Sequence, residues 1–410
     1  MILRTATSAL SIAALFAVSF TTQAQSFRRC IEDDSGRLVD RTSGARCVTT
    51  IQTAVPFLSI APDARTAALG DAGVALSPTP ASTHYNGSAL AFSEERLEFQ
   101  ATFTPWLRAL GLNDVYLANL AGYGKISDLE TVYGDLRYFS LGEIEFTDVS
   151  GQPISTGKPY EMAVTGGYAR KLTDQWSASI AGRFILSSLA SGLQVPGTTE
   201  IIGNGVSGAA DIGVSYRGGV NVGQNGGTLQ AGLNIRNIGS KITYTAARER
   251  DFIPTNLGLG ASLETFFDDY NSLTITLDAN KLLVPSPTQD STDADGNGRP
   301  DFLDGNPVEG IFQSFGDAEE GFGEELREIN LSFGVEYWYA NQFAARAGYF
   351  YEHATKGGRQ YLTVGVGLKY NVLGLDFSYL VPTTSQRNPL DNTLRFGVRY
   401  TFENEDIDPS

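Results

Sequence analysis

Apolar and polar residues alternate along most of this chain with a period of two. At its end, Leu394, Phe396, Val398, Tyr400 and Phe402 fall on one face of an extended segment, and Arg395, Gly397, Arg399 and Thr401 on the other. Upstream, Leu362, Val364, Val366, Leu368 and Tyr370 oppose Thr363, Gly365, Gly367 and Lys369. Ile329, Leu331, Phe333, Val335, Tyr337 and Tyr339 oppose Asn330, Ser332, Gly334 and Glu336, and Val132, Leu136 and Tyr138 oppose Asp135 and Arg137. Successive side chains of a strand point to opposite faces, so each segment predicts a strand with one apolar face. Strands of a soluble sandwich alternate too. Here, however, the opposing face carries charge or glycine in each case, and a polar interior inside an apolar exterior is the pattern of a barrel in a membrane.

Fourteen such segments follow one another, beginning near Leu97, Val115, Thr131, Tyr160, Trp176, Val206, Thr228, Thr255, Ser272, Ile329, Gln342, Gln360, Leu373 and Asn392. An even number suits an antiparallel barrel with both ends on the periplasmic side. The connections also sort by parity. Those after even strands are short, at Lys171 to Gln175, Phe267 to Asn271, Ala340-Asn341 and Asn371-Val372. Those after odd strands are longer, at Leu141 to Pro159, Ser188 to Gly205, Ile238 to Pro254 and Leu282 to Glu328. Short periplasmic turns and long outer loops are the asymmetry of an outer-membrane barrel. The pattern predicts an all-β chain: a fourteen-stranded antiparallel transmembrane β-barrel with an N-terminal plug segment.

The ends of the chain fit that location. Arg4, the apolar run Ala9 to Phe20 and the small residues around Thr22-Gln23-Ala24 read as a secretory signal peptide cleaved after Ala24. No later stretch reaches the about 18 to 20 apolar residues that a membrane helix needs. We divide the chain into a signal peptide (1–24), a cysteine-pair segment and plug (25–96), a barrel (97–402) and an acidic tail (403–410). Within the last strand, Arg395-x-Gly397-x-x-Tyr400-x-Phe402 resembles the terminal-strand signal read by the barrel assembly machinery.

Composition agrees: 45 Gly, 18 Tyr and 23 Phe stand against two Met and two His. Twisted strands with aromatic girdles use such residues. A formal charge of −16 excludes a nucleic-acid partner, which needs a basic face. The acids gather at Asp290 to Asp304, Asp317 to Glu328 and Glu403 to Asp408, and such clusters read as solvated loops. Cys30 and Cys47 are the only cysteines. In an oxidising periplasm an isolated pair forms a structural disulfide, and a metal site would need further ligands close by.

The stretch before the first strand carries a resemblance. FLSIAPDARTAALGDAGVALS (residues 57–77), Thr104-Pro105-Trp106-Leu107 and Leu136-Arg137-Tyr138-Phe139-Ser140-Leu141-Gly142-Glu143-Ile144 resemble stretches of the PorV family of the type IX secretion system, a branch of the FadL-like outer-membrane transport family. The resemblance runs over most of Phe57 to Phe402 and implies fourteen strands with an N-terminal plug. Where the family has Asn-Pro-Ala, this chain has Asn86-Gly87-Ser88-Ala89, which implies a looser plug turn. The resemblance also implies a role in secretion: collecting cargo with a C-terminal signal domain and passing it from the translocon to a surface attachment complex. A FadL-like protein proper would instead carry fatty acids or other hydrophobic molecules. The partners expected are cargo, translocon and attachment-complex proteins, together with outer-membrane lipid.

One constellation suggests a cofactor. Asp293, Asp295 and Asn297, then Gly298, Arg299, Asp301 and Asp304, place oxygen donors at the first, third, fifth, ninth and twelfth positions of a Ca²⁺ loop, with Arg299 offering its backbone carbonyl. The twelfth residue is Asp where an EF-hand prefers Glu, and the pattern predicts no flanking helices. Ca²⁺ binding and a merely solvated acidic loop both remain open. His84 and His353 have no G-x-S-x-G elbow near them, so a hydrolase reading lacks its nucleophile and packed histidines are expected. Arg137, Arg346, Lys369, Arg395 and Arg399 share the inward face with Asp135, Asp211 and Glu336, which predicts a lumen laced with ion pairs. We expect no enzyme activity.

Overall fold

In the computed structural model the described residues are 30–32, 38–40, 50–107, 111–147, 150–194, 199–245, 250–287, 301–318, 321–384 and 392–402. Their alternation is converted into fourteen strands: β1 (Leu97–Pro105), β2 (Val115–Lys125), β3 (Glu130–Leu141), β4 (Tyr160–Lys171), β5 (Trp176–Ser188), β6 (Gly205–Val220), β7 (Gly227–Gly239), β8 (Asn256–Phe266), β9 (Asn271–Leu282), β10 (Asn330–Tyr339), β11 (Phe343–Tyr351), β12 (Gln360–Tyr370), β13 (Leu373–Pro382) and β14 (Leu394–Thr401). None starts more than two residues from where the sequence pattern places it. Each pairs antiparallel with its neighbours, and β14 closes on β1 with Phe396 opposite Phe103 and Thr401 opposite Glu98. Closure leaves no unpaired strand edge, which is what lets a sheet cross a bilayer.

The barrel is apolar outside and polar inside. Along β1, Phe99 and Phe103 are exposed while Glu98, Gln100, Thr102 and Thr104 are buried. β12 repeats this, with Leu362, Val364 and Val366 outward and Thr363 inward. Near the outer ends of β1 to β4, Phe103, Tyr116, Tyr138 and Tyr160 stack in sequence around the wall at ring separations of 5.4, 6.1 and 5.6 Å. At the opposite end Trp176 packs on Tyr216 at 5.1 Å and Tyr400 on Phe402 at 4.7 Å. Aromatic rings at both rims mark the two interfaces of the membrane.

Two expectations are corrected. The long loop after β9 does contain helix, namely α3 (Pro307–Gln313) and α4 (Phe322–Arg327), after the plug helices α1 (Ala64–Ala67) and α2 (Ser82–Tyr85). Asn306 caps α3 by accepting from the Glu309 N–H, and Pro307 opens it with a preset φ. Nor is the acidic cluster at Asp317 to Glu328 simply solvated: Glu324, Glu325 and Glu328 are buried, because two lysines of the barrel rim reach up to them. The signal peptide and the acidic tail lie outside the described residues, as do Cys47 and the Cys30 side chain.

Candidate functional site

Residues Val55 to Ser93 fill the lumen, and almost all of them are buried. Asp63 caps α1 by accepting from the Thr66 N–H at 3.0 Å, and this places Arg65 toward the wall. Its guanidinium forks onto Glu336 of β10, with Nε to Oε2 at 2.9 Å and Nη2 to Oε1 at 2.7 Å. Glu336 is also held by Arg346 of β11 at 2.6 Å, and Arg346 in turn donates to Asp376 of β13 at 2.6 Å. Two guanidinium groups thus share two carboxylates in the barrel interior, a charge-balanced chain of directional bonds.

Backbone contacts complete the fit. Asp278 of β9 accepts from the N–H groups of Gly73 and Val74 at 2.6 and 2.8 Å, and Thr363 of β12 from that of Gly70 at 2.9 Å. Gly70 has φ +68° and lies directly on Gly348 of β11, where a Cβ would stand 2.1 Å from the Gly70 nitrogen. The turn without the family's proline is held by side-chain bonds. Asn86 donates to Val74 O, Val214 O and Ser215 Oγ and accepts from Ser88, while Gly87 lies against the hydroxyl end of the Tyr133 ring.

A bulge in β7 aims a second cation at the plug. Ala210 pairs with Ile238 but Ile212 with Ile235, so Arg236 and Asn237 together oppose Asp211. Asp211 accepts from the Asn237 N–H and from Arg183, and Arg236 turns to His84. On the other side of that imidazole stands Arg137, 2.8 Å from Nδ1, whose second nitrogen donates to the Phe57, Leu58 and Ile60 carbonyls. Two guanidinium groups exclude the imidazolium, and a neutral ring accepts from only one of them. His84 is therefore a packed residue that orients arginines. His353 caps the turn at Ala354–Lys356, with Nδ1 accepting from the Thr355 N–H.

The plug separates two cavities that share no lining residue. One, of about 460 Å³, opens between the short turns and is walled by charge, including Glu98, Arg217, Glu264, Lys369 and Arg399. The other, of about 340 Å³, opens among the long loops, where Ile60, Leu282 and Phe350 mix with Arg236, Arg359 and Arg395. Nε and Nη2 of the buried Arg395 find no partner among the described residues. The chain enters the plug from this outer side: Thr50 and Ile51 line the cavity, and the Ala54 N–H donates to Phe252 in the loop after β7.

Over the outer rim, the loop between β9 and β10 is fastened by charge. Lys281 reaches Glu325 at 2.9 Å and also Glu328, and Lys356 reaches Glu324 at 2.5 Å and Glu328 at 2.9 Å. Of the calcium-loop residues, Asp293, Asp295, Asn297 and Arg299 lie outside the described residues. Asp301 and Asp304 flank one 3₁₀ turn, with the Asp304 N–H donating to the Asp301 carbonyl. Among the described residues no three metal-ligating side chains gather.

The inward arginines and the inward carboxylates Asp211 and Glu336 were legible from alternation, but the full set of pairs was not. Arg65, Asp278, Asp376 and Arg183 carry much of the lumen network, and the sequence offers little to single them out. The one available signal is an arginine set among small residues in a plug segment.

A closed fourteen-stranded barrel, lipid-facing outside and plugged by its own N-terminal segment, is a protein of the bacterial outer membrane. A family profile described as type IX secretion system protein PorV matches residues 43–289. The chain belongs to that family. No curated protein matches. Among solved structures it is similar to the Ralstonia pickettii toluene transporter TbuX, at 12% identity over 83% of this chain and 98% of that one, with a TM-score of 0.46. A Pseudomonas aeruginosa FadL homologue is 12% identical over 87% of this chain and 100% of its own, with a TM-score of 0.42. The Pseudomonas putida toluene transporter TodX is 11% identical over 86% and 97%, with a TM-score of 0.45. The barrel itself is defined by the register described above.

Proposed function

We propose that this barrel is a non-enzymatic cargo carrier: it binds secreted proteins through their C-terminal signal domains at the outer face and passes them from the translocon to the surface attachment complex. Membership of a type IX secretion family supplies the system. The observation that carries the reading is the plug, which fills the lumen and is bonded to the wall on several strands. A conduit requires an open bore, whereas a carrier of folded cargo requires an outer platform. The test is deletion of the gene, with the expected result that cargo with C-terminal signals is lost from the surface and accumulates in the periplasm. Shortening the loop between Leu283 and Arg327 should weaken cargo capture and leave barrel insertion intact.

A second reading, transport of a hydrophobic small molecule, is favoured by the outer cavity, where Ile60, Leu282 and Phe350 stand beside Arg236, Arg359 and Arg395, a lining that suits an amphiphile with an anionic head. It replaces the first if the deletion strain displays its cargo normally but fails to take up long-chain fatty acids. Ca²⁺ binding by Asp293, Asp295, Asn297, Arg299, Asp301 and Asp304 is a proposal resting on sequence spacing. Chelation should then make residues 282–328 more protease-sensitive with the barrel unchanged, and equal cleavage would leave a solvated loop.

A further inference from the structure

The outer loop between β9 and β10 has its chemistry inside out. α4 buries Glu324 and Glu325 against lysines and leaves Phe322 77% and Leu326 52% exposed. On α3, Val308 is 59% and Phe312 74% exposed, with Phe315 just beyond it at 53%. Val308 and Phe312, like Phe322 and Leu326, stand four residues apart, so each pair shares one helical face. The other side of α3 is already occupied, since Gly310 lies against Phe252 and Pro285. Among the described residues of the loop, nothing covers the outward rings. Isolated exposed apolar residues are ordinary, but five on or just beyond two short helices, with the α4 carboxylates turned inward, point to a partner.

Charge says which kind. Between Asp301 and Glu328 the chain has nine acidic residues and one basic residue, Arg327; Glu324, Glu325 and Glu328 are buried against Lys281 and Lys356, so the charge a partner meets comes from the others. Asp304 and Glu309 are exposed beside α3. We propose that these two apolar helix faces are the docking surface for a protein domain bringing an apolar face rimmed by Lys and Arg. This rests on the cargo-carrier reading and assigns it a surface. Lipopolysaccharide phosphates are anionic and would meet charge of their own sign, as would a second copy of this chain, whose net charge is −16.

The test uses the full-length protein in nanodiscs and, as probe, the purified C-terminal signal domain of a protein secreted by the same cells. Replacing both Phe312→Ser and Phe322→Ser should raise the dissociation constant at least about tenfold, as loss of buried aromatic anchors does. Heat-modifiable gel mobility should be unchanged, since both rings are exposed. Raising salt from about 0.05 to 0.5 M should slow wild-type association several-fold. Wild-type protein that captures no signal domain would overturn the carrier reading and this surface with it. Equal binding by wild type and double variant would overturn the surface alone. So would a double variant whose only change is in oligomeric state or in response to lipopolysaccharide in the disc.

Discussion

Two buried charge networks hold two parts of this molecule in place, and they are built from different cations. The plug is locked by Arg65, Glu336, Arg346 and Asp376, two guanidinium groups against two carboxylates. The outer loop is fastened by Lys281 and Lys356 against Glu324, Glu325 and Glu328, two ammonium groups against three carboxylates. Guanidinium forks fix direction as well as distance, whereas an ammonium is a point charge that tolerates small shifts of its partners. The plug network joins residues 271 apart in sequence, and the loop network residues 44 and 47 apart. A rigid, neutral lock belongs where the lumen must stay shut. A looser fastening with one surplus negative charge belongs where a surface meets partners.

That contrast is broken most severely at Glu336. Glu336→Gln strands Arg65 and Arg346 together in the interior, and removing one partner of a buried pair costs about 3–5 kcal/mol. The loss should fall on plug docking and not on the barrel, whose ladder is untouched. We expect faster hydrogen exchange across residues 63–77 and conductance bursts in planar bilayers. Silent bilayers with unchanged exchange would mean that the backbone contacts alone hold the plug.

Those contacts can be tested separately. At Gly348→Ala the added carbon would stand 2.1 Å from the Gly70 nitrogen and 2.2 Å from the Leu69 carbonyl carbon, so the plug backbone must move. Overpacking of this kind costs up to about 3 kcal/mol. Exchange should rise first around Leu69 to Gly73, with less conductance than the Glu336 variant shows.

Glu328→Gln probes the looser network. It removes the carboxylate shared by both lysines yet leaves Glu324 and Glu325 to balance them. A charged hydrogen bond is worth about 2 kcal/mol. External protease should then cut residues 301–328 faster in intact cells while plug exchange stays at the wild-type level. A change in the plug would show that the two networks are coupled.

How much of this could be read from the sequence follows the same division. The wall was legible because period two ties every side chain to one of two surfaces, and one surface is lipid. Strand starts, loop parity and the inward arginines followed. The plug was legible as a stretch that lacks alternation and from the family resemblance, but not in its contacts, which depend on wall residues hundreds of positions away. The outer loop misled. Its acids have the composition of a solvated run, and nothing local reveals that Lys281 and Lys356 stand at the rim beneath them. α3 and α4 are too short for a 3.6-residue period to stand out, and their apolar residues face outward, against the usual rule.

The smallest expected effect separates the loop's surplus charge from its lysine pairs. Asp317 is half-buried, with Oδ2 accepting from the Ser286 N–H at 2.8 Å. Burial raises its carboxyl above the ordinary value of 3.8, the Ser286 N–H works against that, and Glu328 and Glu325 push it up further. A carboxyl raised in the folded state binds its proton more tightly folded than unfolded. Its contribution to loop docking is therefore fully present below pH 3.8 and is lost as pH rises through the raised value. Because the group is about half exposed, the effect should be about 0.5 kcal/mol or less. Asp317→Asn keeps an oxygen for the Ser286 N–H and removes the proton equilibrium. Protease cutting of residues 301–328, followed from pH 4 to 7, should rise slightly with pH in the wild type and less in the variant. Parallel profiles would show that Asp317 does not set the pH dependence of the loop.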